Sequence, residues 1–453
     1  MQSRLNTYRH VISGLFNVML VLFLGSCDRG LPNEGKVVFT QLPANSITNE
    51  QVGSIENKYA NSMKIAIAEI GEGLQNIEVL TTEFSSSRSP EISFDGVTMV
   101  FSAQKREEDP WQIWTMTLES KEVFQVTESR TNCTDPTWLP NGNIAFSKLV
   151  TDDNALKYHA LYTIGADGCC EQRITFQPHE DINASVLHDG RILVASKQVF
   201  PEKDVFKYLA LRPDGTKAEV FYVSDASSDI LGKAVEFQKK VLFTESSAIT
   251  AVRFNRPLHS KEIVINQAPA LSNALCAMDD ENMLISTKKT HELTFGIALV
   301  NVTNPAQEDF YYNDSENHII EAVLVKERQV PRKLPSRVNT KLNSGFFFSM
   351  NTDASDIKAE GKTAKVQVLG MNDVIGETSV AEDGSFYVEL TADRPVRFQT
   401  LDEKGQILRG PSSWMWIRPN ERRGCAGCHQ DREITPDNVV PKAMEKAPFA
   451  MIR

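Results

Sequence analysis

A hairpin unit that returns at intervals in the forties constrains this chain more than any other feature. Ser89-Pro-Glu-Ile-Ser-Phe-Asp-Gly-Val-Thr-Met-Val-Phe-Ser102 recurs as Asp135-Pro-Thr-Trp-Leu-Pro-Asn-Gly-Asn-Ile-Ala-Phe-Ser147. It returns more faintly as Asn183-Ala-Ser-Val-Leu-His-Asp-Gly-Arg-Ile-Leu-Val-Ala-Ser196. Each copy is an alternating strand, an Asp-Gly or Asn-Gly turn and a second apolar strand, which is the signature of a β-hairpin. The turn glycines Gly96, Gly142 and Gly190 are 46 and 48 residues apart. Weaker copies follow at 235–244 and 275–286. Between hairpins come a third strand, such as Gln112–Thr117 or Ala160–Ile164, and a short ending, such as Phe124-Gln-Val-Thr127 or Arg173-Ile-Thr175. Four short strands per unit make one propeller blade. Strands at 36–40, 64–68 and 77–81 supply a further blade lacking its inner strand. The expected fold is therefore all-β, a six-bladed propeller over residues 36–325, with an irregular β-sandwich as the alternative.

A basic, proline-bearing stretch without periodicity, residues 326–343, reads as an interdomain linker or strap. Beyond it, strands at 344–349, 364–369, 385–390 and 396–401 predict a small β-sandwich over residues 344–417. Residues 418–453 are then a short C-terminal segment. The formal net charge of -11 excludes the basic face of a nucleic-acid binder.

The N-terminus is an address. Arg4, Arg9 and His10 precede an apolar run from Val11 to Leu24, and Leu24-Gly25-Ser26-Cys27 follows. Residues 1–26 read as a signal peptide, with residues 27–35 as a linker, and the Leu-Gly-Ser-Cys box resembles that of bacterial lipoproteins, whose Cys is lipidated. Several acyl chains on Cys27 would hold the protein to a bacterial membrane outside the cytoplasm, since one chain binds only marginally. Loss of residues 1–26 removes two bases and no acids, leaving 46 bases against 59 acids, a net of -13.

The strongest chemical signal is Cys425-Ala-Gly-Cys428-His429, the attachment sequence of one covalent haem c. Cys425 and Cys428 are the expected thioether donors and His429 the axial iron ligand. Two thiols three positions apart would lie on one side of a helical turn, with the adjacent His reaching the iron. Tetrahedral zinc would need a fourth ligand from a second paired motif, which is missing, and a redox dithiol would need a βαβ context. The sixth ligand is not identified by the sequence. The histidines at 159, 179, 188, 259, 291 and 318 lie in repeat sequence, and Met415, Met444 and Met451 are closer to the motif. Trp414 and Trp416 are candidate haem walls, with aromatic core packing as their default reading, and Arg418, Arg422, Arg423 and Arg432 are candidate propionate partners, with solvated charge as the alternative. Cys133, Cys169, Cys170 and Cys276 do not define a disulfide framework.

The repeats resemble the TolB-type, WD40-like propeller. Residues 295–435 resemble the hydrazine synthase alpha subunit family, through Glu382-Asp-Gly-Ser-Phe386, Arg394-Pro-Val-Arg-Phe-Gln-Thr-Leu-Asp-Glu-Lys-Gly405, Ser413-Trp-Met-Trp-Ile-Arg-Pro-Asn420 and Gly424-Cys-Ala-Gly-Cys-His429. The resemblance implies a propeller, a second β domain and a haem behind it. In that family the alpha subunit builds hydrazine at an N-terminal haem. One Cys-x-x-Cys-His is present here, and no haem domain separates the lipobox from the first blade, so only the second haem maps, onto Cys425, Cys428 and His429.

The leading expectation is thus a membrane-tethered c-type cytochrome that passes electrons to a redox protein partner. A haem oxidoreductase acting on a small nitrogen or oxygen compound, and a propeller binding module with a structural or sensor haem, are the alternatives. Hydrolases are disfavoured, because no Gly-x-Ser-x-Gly, His-Glu-x-x-His or phosphate-loop motif is present.

Overall fold

The computed structural model describes residues 35–46, 61–225, 231–245, 248–266, 275–288, 291–304, 308–355, 359–427, 431, 433, 435 and 438–452. The signal segment, Cys27, Cys428, His429 and Arg432 lie outside the described residues. Among the described residues there is no α-helix, and the strands form eight four-stranded sheets.

Six of these sheets lie between Lys36 and Val325 and give the chain a propeller-like architecture. Five are built from four strands consecutive in the chain, as the repeats predict. The remaining sheet resolves the blade that lacked its inner strand. Asn317–Val325, at the far end of the repeats, pairs antiparallel with Lys36–Pro43, which continues to Lys64–Ile70 and Leu74–Val79. Apolar residues pack between successive sheets. Val37, Phe39, Leu299 and Leu324 join the last sheet to the first, and Tyr208, Phe221, Val241 and Phe243 join the fourth to the fifth.

The repeat has a local chemical basis. The strand endings Thr81, Thr127 and Thr175 each turn a hydroxyl oxygen to a third-strand backbone N–H, accepting from Ile65, Ile113 and Leu161 at 2.8–2.9 Å. These bonds satisfy donors that the short outer strands leave unpaired. The inner strands of the second, third and fourth sheets shift register at one equivalent place, where Ser89, Asp135 and Asn183 take φ near +50°. Such bulges re-aim side chains, here toward the axis.

Residues 326–343 contain no strand and run across one end of the repeat domain. The Arg328 N–H donates to the Phe94 carbonyl at 2.8 Å, the Arg332 N–H to His188 at 3.0 Å, and the Arg337 N–H to Asp214 Oδ2 at 2.7 Å. At Gly190, φ is +87° and any Cβ would collide with the Arg332 carbonyl, so the hairpin glycine serves both the turn and the strap.

The small β domain is two four-stranded sheets over Phe347, Val366, Val388 and Phe398, with Phe347 stacked on Phe398 at 4.7 Å. It also takes in strands from beyond residue 418. Arg422–Gly427 is a strand parallel to Ser344–Asn351, and Phe449–Met451 is a strand parallel to Phe386–Thr391, so the C-terminal segment completes this domain's own sheet.

Candidate functional site

Cys425 lies on the edge strand Arg422–Gly427, opposite Ser349, and not on the helical turn that its spacing suggested. Parallel pairing with Ser344–Asn351 holds the backbone extended. Gly424 and Gly427 fit this edge because a Cβ on either would collide, with the Phe348 ring and the Ala354 carbonyl respectively. The Cys425 side chain is half-buried against the domain core and carries a free thiol. A partly exposed, unpaired thiol at a sheet edge suits thioether formation, so the described donor fits covalent haem attachment.

Past the motif, the chain is fastened to the repeat domain. Asp431 Oδ2 accepts from His259 Nε2 at 2.8 Å, and Glu433 Oε1 accepts from the Leu258 N–H at 2.7 Å. Before it, a ladder of contacts runs onto the fourth sheet. Trp414 Nε1 donates to the Phe200 carbonyl at 2.7 Å and Trp416 Nε1 to the Gly215 carbonyl at 3.1 Å. Arg418 Nε donates to the Asp214 carbonyl at 3.0 Å while its Nη1 meets Asp393 Oδ1 at 2.8 Å. The Lys217 N–H donates to Glu421 Oε1 at 2.8 Å, and Arg423 donates to the carbonyls of Trp416 and Ala218.

These contacts decide between the readings open for several residues. Trp414 and Trp416 are joints between the two domains, as Trp N–H groups often are at buried interfaces. Arg418, 1% exposed, is tied to Asp393 and stacked 4.9 Å over Phe176. Arg423 is likewise committed to carbonyls. Of the three described candidates Arg422 alone stands exposed, its guanidinium 5.5 Å from the Phe346 centroid. Of the methionines, Met415 and Met451 pack into the small-domain core, whereas Met444 is exposed.

Five of the six described histidines have partners of their own. His159 meets Glu180 at 2.6 Å, and His188 meets Glu236. His179, buried, has Nδ1 2.9 Å from Ser196 Oγ, and the same hydroxyl donates to Asp181 Oδ1 at 2.6 Å. Burial holds His179 well below the usual range, with Lys207 and Arg397 adding to the effect. Burial pushes Asp181 up to about 7 against the hydrogen bonds it accepts. Among the described residues no cluster of three or more His, Cys, Asp or Glu is arranged to hold a metal ion.

A second feature was not foreseen from the sequence. The inner strands enclose an axial cavity of about 660 Å³ whose mouth is crossed by Lys326–Arg332. Polar groups join neighbouring sheets around it. Glu321 accepts from Thr40 Oγ1 at 2.6 Å and the Ser89 N–H at 2.7 Å, and pairs with Arg88 at 3.1 Å. Asp135 lies 3.4 Å from both Ser89 Oγ and the Asn183 N–H, and Asn183 Nδ2 donates to the Leu231 carbonyl at 2.9 Å. Across the axis Lys233 reaches Glu91. Burial alone would raise the Glu91 carboxyl, but Lys233 and Arg328 beside it bring it below the ordinary range. The bulged Ser, Asp and Asn at matching repeat positions were the available signal.

Residues 339–430 match the family model of the hydrazine synthase alpha subunit middle domain. Over these 92 residues the chain is similar to hydrazine synthase alpha subunits. Hydrazine synthase subunit alpha of Kuenenia stuttgartiensis is 38% identical over 56 residues, 12% of this chain and 7% of that relative's length. The solved Kuenenia stuttgartiensis hydrazine synthase superposes with a TM-score of 0.77 at 18% identity, covering 92% of this chain and 72% of its own. The hydrazine synthase likeness of the fold thus runs well beyond the 92 residues of 339–430. TolB from Acinetobacter baumannii gives a TM-score of 0.48 at 10% identity, over 64% of this chain and 67% of that one.

Proposed function

We propose that this protein is a membrane-tethered, extracytoplasmic c-type cytochrome that relays single electrons. Its six sheets act as the blades of a closed propeller that serves as docking platform. Cys27 carries the lipid, Cys425 and Cys428 bond the haem, and His429 ligates its iron. The observation that carries the reading is the setting of the motif. The free thiol of Cys425 lies on a strand fixed between the small domain and the propeller, with contacts on both flanks. A covalent haem supplies a one-electron iron couple. The chain's part is to hold that couple rigidly, which keeps the reorganisation on electron transfer small. The alpha-like match at 339–430 ends just past the motif.

One observation favours a second reading, a haem oxidoreductase acting on a small nitrogen or oxygen compound. Met415 and Met451 are spent in the core, which removes two of the three nearby thioether ligands and favours an open sixth position. A single experiment separates the two. Protein matured with c-type haem machinery is scanned oxidised and reduced, with and without carbon monoxide. Low-spin bands unmoved by carbon monoxide support electron relay, and a high-spin spectrum that shifts supports ligand chemistry at iron. Absence of a covalent haem band refutes both.

A further inference from the structure

The strap at 326–343 is a basic stretch in an acidic chain. It holds six bases, Lys326, Arg328, Arg332, Lys333, Arg337 and Lys341, against the single acid Glu327. Lys326 and Arg328 donate to the Met278 and Ile92 carbonyls of the repeat domain. Arg332, Lys333, Arg337 and Lys341 are exposed, and among the described residues their side chains meet no carboxylate within ion-pair distance. Exposed apolar side chains accompany them, Val330 and Leu342 on the strap and Val97 in the hairpin turn that packs on Glu327.

The two ends of the repeat domain differ in charge. Second strands begin at hairpins on the strap's side, as at Gly96 and Gly190, so the turns that follow these strands lie at the opposite end. In the second, third and fourth sheets those turns, at 105–111, 152–156 and 199–205, carry seven acids against three bases. The chain enters the domain at the basic end, where Lys36 opens its strand opposite Val325, the residue before the strap. Cys27 precedes Lys36 by nine residues, so at roughly 3.3–3.6 Å per residue it cannot stand more than about 32 Å away. An anionic lipid surface attracts clustered Lys and Arg, and exposed apolar side chains add to the attraction. The charge effect fades within a Debye length of about 8–10 Å, so it needs a tether that keeps the surface close.

We propose that the strap end of the repeat domain lies on an anionic phospholipid surface, with Arg332, Lys333, Arg337 and Lys341 against the headgroup phosphates. This rests on the reading of Cys27 as a lipidation site. The acidic end then faces away from the membrane, and the anchored protein takes one orientation instead of pivoting on its tether.

The test reconstitutes full-length lipidated protein in vesicles of phosphatidylcholine alone or of equal parts phosphatidylcholine and phosphatidylglycerol, and follows tryptic cleavage after Lys341. Cleavage after Lys105, exposed at the acidic end, corrects for differences in trypsin activity at the two surfaces. Relative to Lys105, cleavage after Lys341 is expected to slow about threefold or more in the anionic vesicles, and high salt should remove the effect. The double variant Arg332→Gln, Arg337→Gln should lose most of that slowing. The same Lys341-to-Lys105 ratio in both vesicles at low salt, with the protein floating with the lipid, overturns this inference, leaves the anchor reading standing and returns the strap to an acidic protein partner. Protein that floats with neither vesicle overturns both.

Discussion

Replacing Asp181 with Asn should flatten the pH dependence of stability. Asp181 is fully buried beside His179 in the fourth sheet, and its Oδ2 has no hydrogen-bond partner. Burial carries its carboxyl from 3.8 to about 7. At 1.36 kcal/mol per unit, a shift of about 3 units amounts to about 4 kcal/mol once the group is ionised in both states. The folded protein holds this proton more tightly than the unfolded chain, so stability falls as pH rises from about 4 through 7 and then levels. Between pH 5 and pH 8 this group alone should remove about 2–3 kcal/mol. Asn keeps an oxygen for the Ser196 hydroxyl and never ionises. The assay is denaturant unfolding of wild type and Asp181→Asn at pH 5, 6.5 and 8. Their difference cancels the titrations that both proteins share. Relative to wild type, the variant should gain about 2–3 kcal/mol from pH 5 to pH 8. A constant difference across that range would refute the argument and mean that Asp181 is ionised throughout.

Three further outcomes can be tested. On the haem reading proposed above, Cys428→Ser should leave at most one thioether, seen as a shifted pyridine haemochromogen band; an unshifted band would contradict a bond to Cys428. Glu321→Ala should cost about 3–5 kcal/mol in a denaturant titration, because it leaves Arg88 buried without its carboxylate at 3.1 Å; a loss under 1 kcal/mol would contradict the buried pairing. Trp416→Ala should cost about 3–5 kcal/mol and open residues 326–343 to limited proteolysis, since Trp416 is 1% exposed and bonded to the opposing domain. An unchanged digestion pattern would argue against its role as a joint.

Strand and turn positions were legible wherever a residue's own chemistry decides them. Asp-Gly and Asn-Gly turns need a left-handed residue, and Gly96, Gly142 and Gly190 supply it at φ of +79°, +87° and +87°. Alternation likewise marks Ser344–Asn351 and Phe386–Thr391. What could not be read was pairing at a distance. Asn317–Val325 is a plain apolar run, and nothing local says that it completes a sheet begun some 280 residues earlier. Cys425 shows the same limit, because its spacing fits a helical turn as well as an extended one and tertiary pairing with Ser349 decides. Trp416 and Arg418 have the composition of a cofactor pocket and the geometry of a domain joint. The axial carboxylates were invisible as a set, since Glu91, Asp135 and Glu321 converge only after the sheets are arranged around the cavity.

The composite first sheet also sets the order of events during synthesis. Strands Lys36–Pro43, Lys64–Ile70 and Leu74–Val79 are made early, yet their partner Asn317–Val325 arrives only after the other five sheets have been synthesised. Until then Val37, Val38 and Phe39 lie on an open edge that invites pairing with other chains. A nascent chain stalled before residue 317 is therefore the vulnerable species, more than any full-length variant carrying a damaged core. The late strand leads directly into the strap and the small domain, so the last stretch to be translated both completes the first sheet and supplies the edge strand that carries Cys425.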